Sequence, residues 1–169
     1  SVQVHPDTEY AMKTHGEPGK TELWYVVDCP PGASLLHGFR RPLTREECRQ
    51  RIQNNTLLEV VRRVKVHKGD IFLIEPGTLH AIGHGILLAE VQQSSNITYR
   101  LYDYGRLGKD GQPRELHIDK ALDVLHLKPP NRRSTKPLGA ITNIFAGYDV
   151  KFTPPYVISE TRLRRVLSD

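Results

Sequence analysis

No apolar run in this sequence is long. Stretches rich in Val, Ile, Leu and Tyr recur over residues 1–5, 22–29, 33–39, 63–66, 70–74, 87–93 and 98–104, each closed by turn chemistry. The closing segments are Cys29-Pro30-Pro31-Gly32, His67-Lys68-Gly69-Asp70, Glu75-Pro76-Gly77 and Gly83-His84-Gly85. Apolar runs of this length between Gly/Pro clusters read as strands, because Gly supplies positive φ and Pro presets the turn. Many short strands with such punctuation close into a sandwich or barrel. The expected fold is mainly β, a jelly-roll barrel.

A few segments depart from that rhythm. Thr44 stands three residues before Glu47, a capping box that predicts a helix to about Asn54, with another turn or two over 57–62. Ile118, Ala121, Leu122 and Leu125 recur at helical spacing within 117–126, so that helix should pack on a sheet. The polar stretch 105–114 reads as a hairpin loop. Residues 127–140, rich in Pro and Arg, read as a linker, and 141–169 resume a strand-like pattern, the expected beginning of a second, truncated β domain. Residue 1 falls inside an apparent strand, so residues 1–126 are expected to be a core whose N-terminal strands are missing, within a longer protein.

Charge and composition exclude several functions. The net charge of +5 and pI near 9.3 would suit an anionic partner, but the basic residues are dispersed and aromatics make up only 7%. Nucleic-acid binding, which needs a basic patch, is therefore not expected. The stretch 86–91, among the longest apolar ones, is far too short for a membrane span and no secretory leader opens the chain, so a cytoplasmic protein is expected. Cys29 and Cys48 form neither a disulfide framework nor a thiolate metal knuckle.

Three short segments carry the chemistry. In Gln3-Val4-His5-Pro6, strand alternation puts Gln3 and His5 on one face and Val2 and Val4 on the other. Glu22 opens a strand, with Lys20 two residues before it on the same face. In Glu75-Pro76-Gly77-Thr78-Leu79-His80, the Pro-Gly turn delivers His80 to the start of the next strand. Two imidazoles, a carboxylate and an amide oxygen form an N/O donor set suited to one zinc ion per chain. Manganese, iron and cobalt are less favoured.

Taken together, the blocks resemble the type I mannose-6-phosphate isomerases of the cupin superfamily. That family carries Q-x-H-P-D, G-K-T-E, G-T-L-H-A and T-Y-R-x-Y-D in order, and all four stand here, at 3–7, 19–22, 77–81 and 98–103. The resemblance implies metal ligands Gln3, His5, Glu22 and His80. It implies an active-site lysine at Lys20, an arginine at Arg100 and an acidic pocket residue at Glu90. Both the core and the truncated second domain would then be cupin-like.

The implied reaction interconverts mannose 6-phosphate and fructose 6-phosphate through an enediol. The base would be Glu90 or a desolvated Lys20; Arg100, always charged, suits electrostatic stabilisation. Lys20, Arg100 and Ser1 are candidate substrate-binding groups for the phosphate. His15, His37, His67, His84, His117 and His126 lie outside the ligand pattern. Competing readings are a non-catalytic sugar-phosphate-binding cupin and a metal-dependent cupin oxygenase. Exposed strand edges would allow a homo-oligomer.

Overall fold

Alternating sequence resolves into two antiparallel sheets in a computed structural model that describes residues 1–108 and 110–130 in full, and the backbone of Thr161–Arg165. The strands are β1 (Val2–Val4), β2 (Glu22–Asp28), β3 (Ser34–Phe39), β4 (Val61–Lys65), β5 (Ile71–Ile74), β6 (His80–Ala81), β7 (Leu87–Gln92), β8 (Tyr99–Tyr102) and β9 (Thr161–Arg165). One sheet has the order β4-β3-β6-β1-β8, the other β5-β2-β7-β9. This is the mainly β, cupin-type barrel expected from the turn pattern. The expected linker and second domain fall outside the described residues from 131 onward, apart from β9, whose backbone pairs antiparallel with β7.

Two apolar clusters organise the chain. Between the sheets, Trp24, Val26, Leu35, Val66, Phe72, Ile74, Ile86 and Leu88 form the barrel interior. On the far side of the five-stranded sheet, Val2, Val4, Leu36, Phe39, Tyr99 and Leu101 pack against three helices. These are α1 (Thr8–His15), α2 (Arg45–Gln53) and α3 (Ile118–Val124). Fully burying each large side chain contributes roughly 1.5–3 kcal/mol. A break in the β3–β4 register between Leu36 and Phe39, at Gly38 with φ 68°, lets both face the helices while Leu35 and His37 face the barrel.

The helix signals explain two of the three helices. Thr44 accepts from the Glu47 amide at 3.1 Å, as its capping box predicts. The turn expected after it is a single 3-10 turn, Leu57–Glu59, because Val61 and Arg62 already belong to β4. Helix α3 forms as its apolar spacing predicts and packs against β8. Arg45 ties α2 to α3 through the Leu122 carbonyl at 2.8 Å and the Asp123 carboxylate at 2.6 Å. The loop 105–114 folds back as a hairpin, with an antiparallel bridge between Leu107 and Pro113.

Helix α1 was not expected. Its signals are present: Asp7 accepts from the Tyr10 amide at 2.8 Å, and Gly16 at φ 71° ends the helix with its N–H on the Met12 carbonyl. Only Ala11 of its residues is buried, so no apolar stripe announces it.

Candidate metal centre

Strand β1 lies between β6 and β8, with Gln3 opposite His80 on one side and Arg100 on the other. His37 lies opposite His80 across β3 and β6. Directly opposed residues of an antiparallel pair share a face, so these side chains form one row pointing into the barrel. Glu22, Trp24 and Glu90 approach from the other sheet, where Trp24 and Glu90 are register partners.

Both histidines are oriented by a backbone carbonyl. His5 Nδ1 lies 3.0 Å from the Ile97 carbonyl, and His80 Nδ1 lies 2.9 Å from the Thr78 carbonyl. A carbonyl can only accept, so each Nδ1 carries a proton and each ring turns its Nε2 toward the site. The two Nε2 atoms converge on Glu22: His5 Nε2 is 3.1 Å from Oε1, and His80 Nε2 is 3.8 Å from Oε2. All three residues are buried, and their ligand atoms lie within 4.8 Å of one another. That spacing fits one ion held by bonds of about 2.0–2.2 Å after small adjustments.

Electrostatics agree with this arrangement. Burial alone would raise the Glu22 carboxyl, but the His5 and His80 rings and the Lys20 ammonium pull it down to about 2. Burial, reinforced by His5, lowers the His80 imidazole to about 3 against the opposing effect of Glu22. At neutral pH the site therefore offers a carboxylate and an uncharged His80, the protonation states metal coordination requires.

Gln3 completes the ring. Its Nε2 lies 3.3 Å from His80 Nε2, so the amide donates to the lone pair a cation would use. A half-turn of the amide would place Oε1, its lone-pair donor, there instead. Ser1 Oγ donates to Gln3 Oε1 at 3.4 Å, which places Ser1 beside the candidate ligands.

The other candidates surround this set. Lys20, nearly buried, reaches Thr98 Oγ1 at 3.4 Å and lies 3.8 Å from Glu22 Oε1. Arg100 follows the row past Gln3, with Nη1 donating to the Glu115 carbonyl at 2.8 Å. Glu90 Oε2 accepts from the Trp24 indole N–H at 3.1 Å, and Glu22 Oε2 accepts from the same N–H at 3.0 Å. Sequence reading passed over Trp24, although its place two residues after Glu22 puts it on the ligand face.

The remaining histidines fall into different settings. His15 meets the Tyr99 hydroxyl at 2.7 Å, His117 Nδ1 accepts from the Arg100 amide at 3.1 Å, and His67 and His84 are at or near the surface. His126 lies against Gly77, where a Cβ would come 2.7 Å from its ring. His37 is different: it is buried in the inward row, next to His80 and 6.4 Å from the Phe72 ring.

No family model matches the chain. Mannose-6-phosphate isomerase ManA of Bacillus subtilis is 47% identical to it over 136 residues, 80% of this chain and 43% of the relative. The chain belongs to the mannose-6-phosphate isomerase family. The crystal structure of mannose 6-phosphate isomerase from Bacillus subtilis superposes with a TM-score of 0.71 at 40% identity, covering 77% of this chain and 42% of that one. A mannose 6-phosphate isomerase bound with zinc and yttrium shares the fold at TM-score 0.53 and 16% identity, over 82% of this chain and 53% of that one. The chain thus spans less than half the length of the curated relatives it matches.

Proposed function

We propose that this chain carries the metal-assisted barrel that interconverts mannose 6-phosphate and fructose 6-phosphate. The observation that carries the reading is the convergence of His5, Glu22 and His80, with Gln3, in a chain 47% identical to an enzyme of that name. Gln3, His5, Glu22 and His80 would hold one divalent ion, with zinc favoured by the N/O donor set. When bound, such an ion polarises substrate oxygens and offsets negative charge that develops on them.

The chain's own residues divide the remaining work. Isomerisation removes the proton from C2 of the aldose, passes through an enediol and returns a proton to C1, while a hydroxyl proton moves from the C2 oxygen to the C1 oxygen. Glu90 is the carbon base in this scheme: a carboxylate with 1% exposure, held at the wall of the barrel by Trp24. Lys20 is better suited to hold substrate oxygens, its Nζ lying 3.8 Å from Glu22 Oε1 beside the candidate metal site. Arg100 supplies a fixed positive charge to the oxygens or the phosphate, and Ser1 a hydroxyl beside Gln3.

A sugar phosphate is the only partner the scheme needs. The test is a coupled assay on the zinc-loaded chain, with mannose 6-phosphate as substrate. Turnover should disappear on chelation and on Arg100→Ala, while Arg100→Ala keeps its zinc. Folded, zinc-loaded protein that binds mannose 6-phosphate without converting it would replace this reading with that of a sugar-phosphate-binding cupin.

A further inference from the structure

Trp24 has one N–H and no acceptor, yet that proton faces two buried carboxylates. Glu22 Oε2 lies 3.0 Å from the indole nitrogen and Glu90 Oε2 lies 3.1 Å from it. The three side chains are 1%, 2% and 1% exposed for Trp24, Glu22 and Glu90, so little water reaches the shared proton. The ring is fixed on its other side by an edge contact with His80, the centroids 5.4 Å apart at 78°. Packing alone would ask for one acceptor to satisfy a buried indole. Here one donor spans a candidate metal ligand and a candidate base.

The strand geometry produces this bridge. Glu22 and Trp24 are two residues apart on β2 and share a face, while Glu90 is the register partner of Trp24 on β7. The indole therefore fills the position from which a single donor reaches both carboxylates.

We infer that Trp24 is a positioning residue for the isomerisation, its indole N–H holding Glu22 toward the metal and Glu90 toward the reacting carbon. The inference rests on the reading given under Proposed function. Without the N–H, two carboxylates would face one vacated site in a low-dielectric interior, and each would turn away from it. The metal would lose an oriented ligand, and the base would lose its aim.

Trp24 is the only tryptophan in the chain, so the ring can be exchanged by biosynthetic incorporation as well as by mutation. Benzothienylalanine keeps the bicyclic shape and replaces N–H with sulfur; 5-fluorotryptophan keeps the N–H. Trp24→Phe provides a second variant without the donor. Zinc affinity is read by chelator competition, kcat and KM by the coupled assay, and folding by circular dichroism and Tm.

The benzothienyl and Trp24→Phe proteins should bind zinc about tenfold more weakly, the lower end for loss of a partner to a metal ligand. At saturating zinc both should show a reduced kcat with KM nearly unchanged, and 5-fluorotryptophan should restore both values. A folded benzothienyl protein with parental zinc affinity and kcat would overturn the inference and leave Trp24 a packing residue. If the parent binds zinc but does not isomerise, the functional reading fails, and the affinity comparison still decides whether the N–H positions Glu22. A parent that binds no zinc overturns both.

Discussion

Gly19→Ala should damage the site without touching any candidate ligand. A Cβ built at Gly19 would lie 2.3 Å from the Asp7 carbonyl carbon, 2.5 Å from the Thr8 nitrogen and 2.7 Å from the Asp7 oxygen. Carbon atoms in contact prefer about 3.5–4.0 Å, so the two backbones must separate by roughly 1 Å. All three obstacles are main chain, so no side chain can rotate away to relieve the clash. Overpacking of this kind costs about 1–3 kcal/mol. Separation also strains the 3.1 Å bond from the Lys20 amide to the Pro6 carbonyl, which contributes about 0.5–1.5 kcal/mol.

A fall in Tm of roughly 3–18 °C follows at about 2–4 °C per kcal/mol. The segments being forced apart carry His5 on one side and Lys20 and Glu22 on the other. A displacement near 1 Å can reduce turnover about 100-fold. Gly16→Ala is the control: Gly16 has φ 71° and nothing within 4 Å of its would-be Cβ, so the cost is conformational, about 1–2 kcal/mol. Thermal melts, zinc competition and the coupled assay on both variants separate the effects. The reasoning is refuted if Gly19→Ala melts within 1 °C of the parent and keeps its zinc affinity, or if Gly16→Ala loses zinc as readily.

Other outcomes follow from the same structure. His80→Ala should remove the bound zinc measured by elemental analysis, and full occupancy would eliminate the proposed ligand set. Asp103 accepts from Arg106 at 2.6 Å and from Arg114 Nε and Nη2 at 2.5 Å each. Burial tends to raise its carboxyl, but the two arginines hold it well below the usual carboxylate range. Its contribution is therefore present above about pH 4 and is lost as pH falls through the lower folded value. Asp103→Asn should lower stability by about 1.5–3 kcal/mol at pH 7 and weaken the acid dependence of chemical denaturation. An unchanged pH profile would count against the clamp. Cys48, fully buried in the helix-side core, has its thiol raised to about 11 by burial, and should resist alkylation by iodoacetamide in the folded state while Cys29 reacts first. Mass spectrometry showing the reverse order would contradict this assignment.

Much of the architecture was legible because its signals are local. The Gly/Pro turns separated the strands, and the Thr44 box and the spacing of Ile118, Ala121, Leu122 and Leu125 marked two helices. Alternation also anticipated that Gln3 and His5 share a face, and the structure brings both beside His80 and Glu22. Helix α1 escaped because nearly all its residues face outward, leaving only its caps as evidence. The register was not legible: that Trp24 sits opposite Glu90, or Gln3 between His80 and Arg100, depends on pairings between distant segments. Nor does a sequence pattern reveal that Gly19 is there for space, whereas Gly16 is there for its left-handed backbone.

Strand β1 has a kinetic consequence. It lies between β6 and β8, and the Gln3–His80 contact spans 77 residues. Such a strand has no edges to pair with until both neighbours have been made and aligned, and closing loops of that length before any contact forms is entropically slow. Gln3 and His5, although encoded first among the candidate ligands, are thus among the last to reach their places. On the proposed reading, metal capture should follow closure of the barrel, with the ion sealing a fold already formed instead of guiding the early chain.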